Sequence, residues 1–75
     1  MCLSEIEIGT TAVVDRVEAP PPIATRLGDL GFIPGTPVTS VRRAPLGDPG
    51  VYEIRGVQYC LRRSEASAIH VRFDG

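Results

Sequence analysis

The sequence predicts a small, mostly β barrel of about five short strands, with one short helix inserted after the first strand. Five segments carry the alternating or β-branched residues that are typical of strands, and they cover residues 11–17, 37–44, 51–55, 57–62 and 69–73. With 75 residues, the chain has room for a single domain, residues 1–75. Five strands in so short a chain leave open edges unless the sheet curls, which favours a barrel.

The first two strands are predicted from β-branched residues. The run Ala19-Pro20-Pro21-Pro22 must end the first strand, residues 11–17, because proline has no N–H to donate to a sheet ladder. In the second strand, residues 37–44, Val38 and Val41 break the alternation of apolar and polar positions. This break is compatible with a β-bulge in the second strand.

A short helix is predicted over residues 22–30. Proline is favoured in a first helical turn, where its missing N–H is no loss. Ile23, Leu27 and Leu30 are spaced to form one helical stripe. Gly31 follows directly and can adopt the left-handed conformation that ends a helix. The helix therefore has a defined beginning, an apolar face and a defined end.

Several turn positions are expected to be required by the backbone rather than by contacts with a ligand. Glycine tolerates a positive φ, and proline presets φ in a turn. These positions are Gly31, Pro34, Gly35, Gly47, Pro49 and Gly56. Gly56 joins the third and fourth strands, in which Tyr52 and Tyr59 are predicted to point inward. Ser64 is predicted to be the N-cap of a final short helical turn, with Glu65 in its first turn.

Composition and charge exclude several classes of function. The net charge is −1 and the aromatic content is 5%, so the chain lacks the basic, aromatic-rich surface that binds single-stranded nucleic acid. All eight basic residues are arginines and six of them follow Val41; we interpret these mainly as solvated strand positions. With no long apolar run and no secretory signal, we expect no membrane insertion and a cytoplasmic location.

Few residues are available for metal binding or catalysis. The chain has one histidine, His70, and two cysteines, Cys2 and Cys60, without the spacing typical of metal ligands. We expect no cofactor and no metal site formed by this chain alone, while a metal shared between chains or bound by His70 with a carboxylate stays open. Cys60 with His70 is the one conceivable pair of nucleophile and base. We interpret Cys60 as a packing residue, and we expect that the protein is not an enzyme.

The burial of three apolar residues has two alternative interpretations. Leu46 lies in a loop rich in proline and glycine, residues 45–50, where it is either a plug that folds back on the barrel or an exposed contact. Phe32 and Ile33 raise the same question after the helix. The pattern of residues by itself does not choose between burial and exposure.

Three motifs along the chain resemble those of the FeoA family, ferrous iron transport protein A. Arg26-Leu27-x-x-Leu30-Gly31-x-x-Pro34-Gly35 resembles the R-L-x-x-L-G-x-x-P-G signature of that family. Ala44-Pro45-Leu46-Gly47-Asp48-Pro49 resembles its A-P-L-G-D-P loop. Gly56, followed by Leu61-Arg62 and Ser64-Glu65-Ala66, is similar to its G-x-x-x-x-L-R-x-x-E-A region. The resemblance extends over nearly the whole chain.

The resemblance implies an SH3-like barrel that takes part in bacterial ferrous iron uptake. It implies a cytoplasmic accessory that binds and modulates FeoB, the membrane ferrous iron permease with a cytosolic GTPase domain. The same fold is the C-terminal domain of DtxR-like metal-dependent repressors, so the alternative function is a small transition-metal sensor or carrier. A weak homo-oligomer formed through open sheet edges also stays an alternative.

The contact surface for the partner is expected on the helix and its following turn, or on the loop at residues 44–49. Arg26 is predicted to be a forked hydrogen-bond donor to an acidic partner, and Leu46 to be an apolar anchor. Leu27 and Asp48, which come from the same two motifs, complete the predicted set of partner-binding residues. Loops on a rigid barrel commonly carry binding.

Overall fold

The computed structural model describes residues 1–73, and these form five strands, two α-helices and one short 3-10 helix. The 3-10 helix covers Leu3–Glu5. The other elements are β1 Thr11–Val17, α1 Pro21–Leu30, β2 Pro37–Arg43, β3 Gly50–Ile54, β4 Val57–Leu61, α2 Arg63–Ala68 and β5 Ile69–Arg72. The five predicted strands and the inserted helix are confirmed, with boundaries that differ by at most one residue.

The strands form one antiparallel sheet in the order β4-β3-β2-β1-β5. In a flat sheet β4 and β5 would lie about 19 Å apart, because neighbouring strands are about 4.8 Å apart. The six-residue α2 is about 9 Å long, yet it connects β4 to β5 and contacts both strands. The sheet therefore curls, and the mostly β, SH3-like fold predicted from the sequence is confirmed.

Two β-bulges increase the local twist of the sheet. One is a register shift between Ser40 and Arg42 in β2, where the broken alternation of Val38 and Val41 was compatible with a bulge. The other is a register shift in β1, before Arg16. The bulge in β2 confirms the interpretation of the sequence pattern.

The apolar core takes side chains from every helix and strand. The ring of Tyr59 packs edge-to-face against Phe32, with 6.0 Å between the ring centroids, and Tyr52 is buried. The inward orientation predicted for Tyr52 and Tyr59 is therefore confirmed. The buried residues of the core are Leu3, Ile6, Ala12, Val14, Leu27, Phe32, Val38, Tyr52, Ile54, Leu61, Ala66, Ile69 and Val71.

Helix α1 ends as predicted, at a glycine in the left-handed region. Gly31 has φ 114°, and its N–H donates to the carbonyls of Gly28 and Leu27. A Cβ at Gly31 would lie 3.0 Å from Ile54 Cδ1, so glycine is required both for the backbone conformation and for the close approach of β3. The interaction fixes the end of α1 against the sheet.

The start of α2 differs from the prediction. The N-cap is Arg62 rather than Ser64, and the helix begins at Arg63. The reason is that the first backbone N–H groups at this end are satisfied by carboxylates of other residues and not by the side chain of the N-cap. The Arg62 N–H donates to Glu65 Oε1 at 2.9 Å, and the Arg63 N–H donates to Asp48 Oδ1 at 2.9 Å. Glu65 does lie in the first turn, as predicted.

Candidate functional site

A surface groove of about 580 Å³ lies where four separate parts of the chain meet. Ile23 and Arg26 of α1 form one side, and the end of β4 with the start of α2 forms the other. The residues that line it are Ile23, Arg26, Pro49, Cys60, Arg62, Ser64 and Glu65. Because it brings the helix motif next to the 44–49 loop, this groove is the candidate functional site.

An ion pair between Arg26 and Glu65 joins the two sides of the groove. The carboxylate of Glu65 accepts a hydrogen bond from the Arg62 backbone N–H and another from the Arg26 guanidinium. The bond from the Arg62 backbone is the largest cause of the lowered pKa of Glu65, and the bond from Arg26 lowers this pKa further. Burial acts in the opposite direction. Arg26, predicted to be a donor to a partner, is thus already engaged within the chain, with about half of its side chain exposed.

Leu46 is 94% exposed, so it does not fold back on the barrel as a plug. Its loop is held in place by hydrogen bonds from Ala44 N to Pro49 O and from Gly47 N to Ala44 O. The side chain of Asp48 fastens the same loop to α2 through the N–H of Arg63. A fixed loop therefore presents Leu46 to the solvent.

Leu27 does not belong to any accessible surface. It was predicted to contact a partner, but it is 0% exposed and lies in the apolar core. The reason is its place on the stripe of α1 that faces the sheet, so its part in the motif is structural. Ile23, one turn earlier on the same stripe, is 40% exposed and lines the groove.

Phe32 and Ile33, which follow α1, take opposite orientations. Phe32 is buried in the core, whereas Ile33 is 40% exposed. The ring of Phe32 fills the space beside Tyr59. Only Ile33 is therefore available at the surface.

Cys60 is exposed, so its interpretation as a packing residue is wrong. Its neighbours Tyr59 and Leu61 occupy the positions of β4 that pack on the core or belong to it, and Cys60 lies opposite Val51 on β3. Cys60 also lines a second cavity of about 290 Å³, together with Arg42 and Pro49. Because Cys60 and Pro49 line both cavities, the groove continues toward Arg42.

His70 lies far from Cys60 in the strand order. It is on β5, at the opposite edge of the sheet from β4, and its Nε2 is 3.4 Å from Glu18 Oε1. Within residues 1–73, no group of three or more histidine, cysteine or acidic side chains is placed to hold a metal ion. In the same residues, no helix is long and apolar enough to cross a membrane.

The structure brings together some of the predicted site residues and adds others. Arg26 lines the groove and Asp48 lies beside it, fastened to α2. Sequence reasoning missed Ile23, Arg62 and Cys60 as groove residues, and it gave Glu65 only a capping role. The third motif contains Glu65 and Arg62, so the sequence did mark these two residues. No pattern of neighbouring residues, however, indicated that they lie beside α1.

The curled five-stranded sheet with its inserted helix has the architecture of a small SH3-like domain. A family model, the FeoA domain, matches residues 1–73, and this chain belongs to the FeoA domain family. A relative in Porphyromonas gingivalis, an Fe(2+) transport protein A/Fe(2+) transporter FeoB fusion protein, is 41% identical over 71 residues. The match covers 95% of this chain and 8% of the fusion protein.

Solved structures of FeoA proteins have the same fold. The FeoA protein of Chlorobium tepidum is 41% identical with a TM-score of 0.91, covering 97% of this chain and 70% of that one. The zinc complex of Stenotrophomonas maltophilia FeoA, described as a prokaryotic SH3 domain protein, is 39% identical with a TM-score of 0.85 and coverage of 95% and 88%. A manganese-dependent transcriptional repressor, 20% identical with a TM-score of 0.87 over 97% of this chain and 41% of that one, shares the fold alone.

Proposed function

We propose that this protein is a non-enzymatic accessory of ferrous iron uptake, which binds the ferrous iron transporter FeoB in the cytoplasm and modulates its activity. The fusion in Porphyromonas gingivalis carries this proposal, because one chain there combines an FeoA part, 41% identical to this protein, with the transporter. Two parts that occur in a single chain in one organism commonly act together when they are separate. Ferrous iron is here the cargo of the partner, not a cofactor of this chain.

The surface of the protein supports a binding role. Leu46 is a large apolar side chain held almost fully in the solvent by a fixed loop. An aliphatic side chain can act as the anchor of an interface when it fills a pocket of the partner. Arg26 and Asp48 flank the same region, and both also make contacts that shape it. In this proposal, Leu46 contacts the partner directly, while Arg26 and Asp48 both orient the site and border the contact.

The test is the binding of this chain to full-length FeoB in lipid nanodiscs, with and without GTP. Leu46→Ala is expected to weaken binding at least tenfold, because the proposal makes Leu46 a hot spot, and truncation of a hot-spot residue costs about 2 kcal/mol or more. Its melting temperature should stay within about 2 °C of the wild type, because exposed substitutions change stability little. The matched control is Ile8→Ala, another exposed aliphatic residue, which should bind normally. No binding of wild-type protein in any nucleotide state would contradict the proposal.

A metal sensor or carrier is the second candidate, and the zinc complex of the S. maltophilia relative is the observation that favours it. The test is calorimetric titration of this chain with Zn²⁺ and with Fe²⁺ under anaerobic conditions. Stoichiometric sub-micromolar binding that is lost in His70→Ala would favour this function. Weak binding that His70→Ala leaves unchanged would contradict it.

A further inference from the structure

The outer edge of β4 has backbone groups that point away from the sheet. Arg55 and Gly56 both have positive φ, 51° and 78°, which is the conformation of a two-residue type I′ turn. In such a turn the two flanking residues, Ile54 and Val57, form a hydrogen-bonded pair of the ladder. Hydrogen-bonded and non-hydrogen-bonded pairs alternate along an antiparallel ladder. With the register of β3 and β4, the N–H and C=O groups of Gln58 and Cys60 therefore point to the open edge.

Nothing within residues 1–73 occupies this edge. The strand order ends at β4, and no backbone hydrogen bond outside the ladder with β3 involves Gln58 or Cys60. The strand also lacks the usual protective features of an edge, since Val57–Leu61 contains neither proline nor a charged residue and its register with β3 is continuous. An edge of this kind is a template for the addition of another strand.

The candidate groove meets this edge at Cys60 and has an excess of positive charge. Cys60 and Arg62 border it on the β4 side, and Ile23 and Arg26 on the α1 side. Within the described residues, no carboxylate lies within 4.0 Å of the guanidinium groups of Arg62 or Arg63. At a longer distance, the charge of Arg62 contributes to the lowered pKa of Glu65.

The acidic side chains nearby are already engaged. Glu65 accepts hydrogen bonds from the Arg62 backbone and from Arg26, and Asp48 accepts one from the Arg63 backbone. Arg42, in the adjoining cavity, adds a further exposed positive charge. The combination of an open strand edge, apolar contacts at Ile23 and Pro49, and surplus arginines fits an extended acidic segment.

We propose that an extended acidic segment of a partner protein adds to β4 as a sixth strand in this groove. The inference rests on the proposed function only in requiring a protein partner. The backbone of Gln58 and Cys60 would hydrogen-bond the segment, and Arg62 and Arg63 would select its acidic side chains. A second copy of this chain fits less well, because the β4 strand that it would add, Val57–Leu61, carries no carboxylate for these arginines to bind.

The first test removes one outward N–H without changing the ladder with β3. Cys60→Pro deletes a donor that points to the open edge, a position where edge strands tolerate proline, whereas Cys60→Ala keeps the donor and serves as the matched control. Binding to full-length FeoB in nanodiscs should weaken about five- to tenfold in Cys60→Pro, since one lost hydrogen bond commonly has this effect. Cys60→Ala should bind like the wild type.

The second test does not need FeoB and starts from the wild-type protein. A heptapeptide of alternating glutamate and valine is titrated into the ¹⁵N-labelled wild-type protein, with the lysine and valine counterpart as control. We expect the amide signals of Gln58 and Cys60 to shift and their hydrogen exchange to slow with the acidic peptide only. Arg62→Gln should weaken peptide binding severalfold, whereas Arg55→Asn, an equal change of charge at the hairpin turn, should not.

The outcomes separate this inference from the proposed function. If FeoB binds Cys60→Pro as tightly as Cys60→Ala and the Gln58 and Cys60 amides are unaffected in the complex, strand addition is wrong while the accessory function stands. If FeoB does not bind at all but the acidic peptide does, the accessory function is wrong while strand addition stands. A concentration-dependent dimer that Cys60→Pro abolishes would assign the edge to a second copy of this chain. It would contradict the proposal that an acidic segment of a partner protein binds there.

Discussion

The two edges of the sheet are treated differently by the rest of the chain. At β5, the N-terminal segment covers the edge: Val71 donates its N–H to the Met1 carbonyl at 2.8 Å, and Cys2 forms a bridge with His70. At β4, Gln58 and Cys60 keep outward backbone groups, and Cys60 borders the groove. Because an exposed edge invites pairing, the difference indicates that the covered edge serves stability and the open edge is available for binding.

The largest effect is expected from breaking the covered edge. Leu3→Ala removes a fully buried side chain that anchors the N-terminal segment in the core, and a change of this type costs about 3 kcal/mol. We expect the free energy of unfolding in urea to fall by about this amount, and hydrogen exchange at Val71 to become faster. Ile8→Ala, which changes a residue 56% exposed in the same segment, should cost less than about 0.5 kcal/mol. Equal effects of the two variants would contradict the anchoring role of Leu3.

A smaller effect is expected where α1 is fixed beside the open edge. Gly31→Ala should lower the free energy of unfolding by about 1–3 kcal/mol, because φ is 114° and the new Cβ would lie 3.0 Å from Ile54 Cδ1. Gly28→Ala is the control within the same helix, since a Cβ there meets nothing within 4 Å. It should raise stability by about 0.5–1 kcal/mol, because alanine is the better helix former. If both variants change the free energy of unfolding in the same direction, the left-handed conformation at position 31 does not require glycine.

The smallest effect concerns the carboxylate that joins the two sides of the groove. Glu65→Gln should lower stability by about 1 kcal/mol at pH 7, because Glu65 bonds the Arg62 N–H at the start of α2. Its pKa in the folded protein is lowered from the ordinary 4.5, so its contribution is present above that value and is lost as the pH falls through the folded pKa. The stabilities of wild type and variant should therefore converge in acid.

The control for this comparison is Glu7→Gln, which changes an exposed glutamate in the N-terminal segment. Urea unfolding from pH 7 down to pH 2.5 measures all three proteins. A difference between Glu65→Gln and the wild type that persists unchanged at the lowest pH would contradict an electrostatic origin of the contribution.

The sequence by itself determined the fold class, because its local signals agree. Alternating apolar residues predicted the strands, the stripe at Ile23, Leu27 and Leu30 predicted α1, and Gly31 and Gly56 occur where positive φ is required. These are properties of neighbouring residues, and period and backbone conformation are local. The three motifs together were also sufficient to indicate the family.

Only the tertiary structure decided which residues are accessible and which of them meet. The sequence pattern allowed Leu27 to be a contact and Cys60 to be a packing residue, and burial reversed both interpretations. The Arg26 and Glu65 ion pair joins residues that are 39 positions apart, so no local pattern could reveal it. Burial and contact across the groove depend on how the sheet curls and on which edge the N-terminal segment covers, and those are properties of the whole fold.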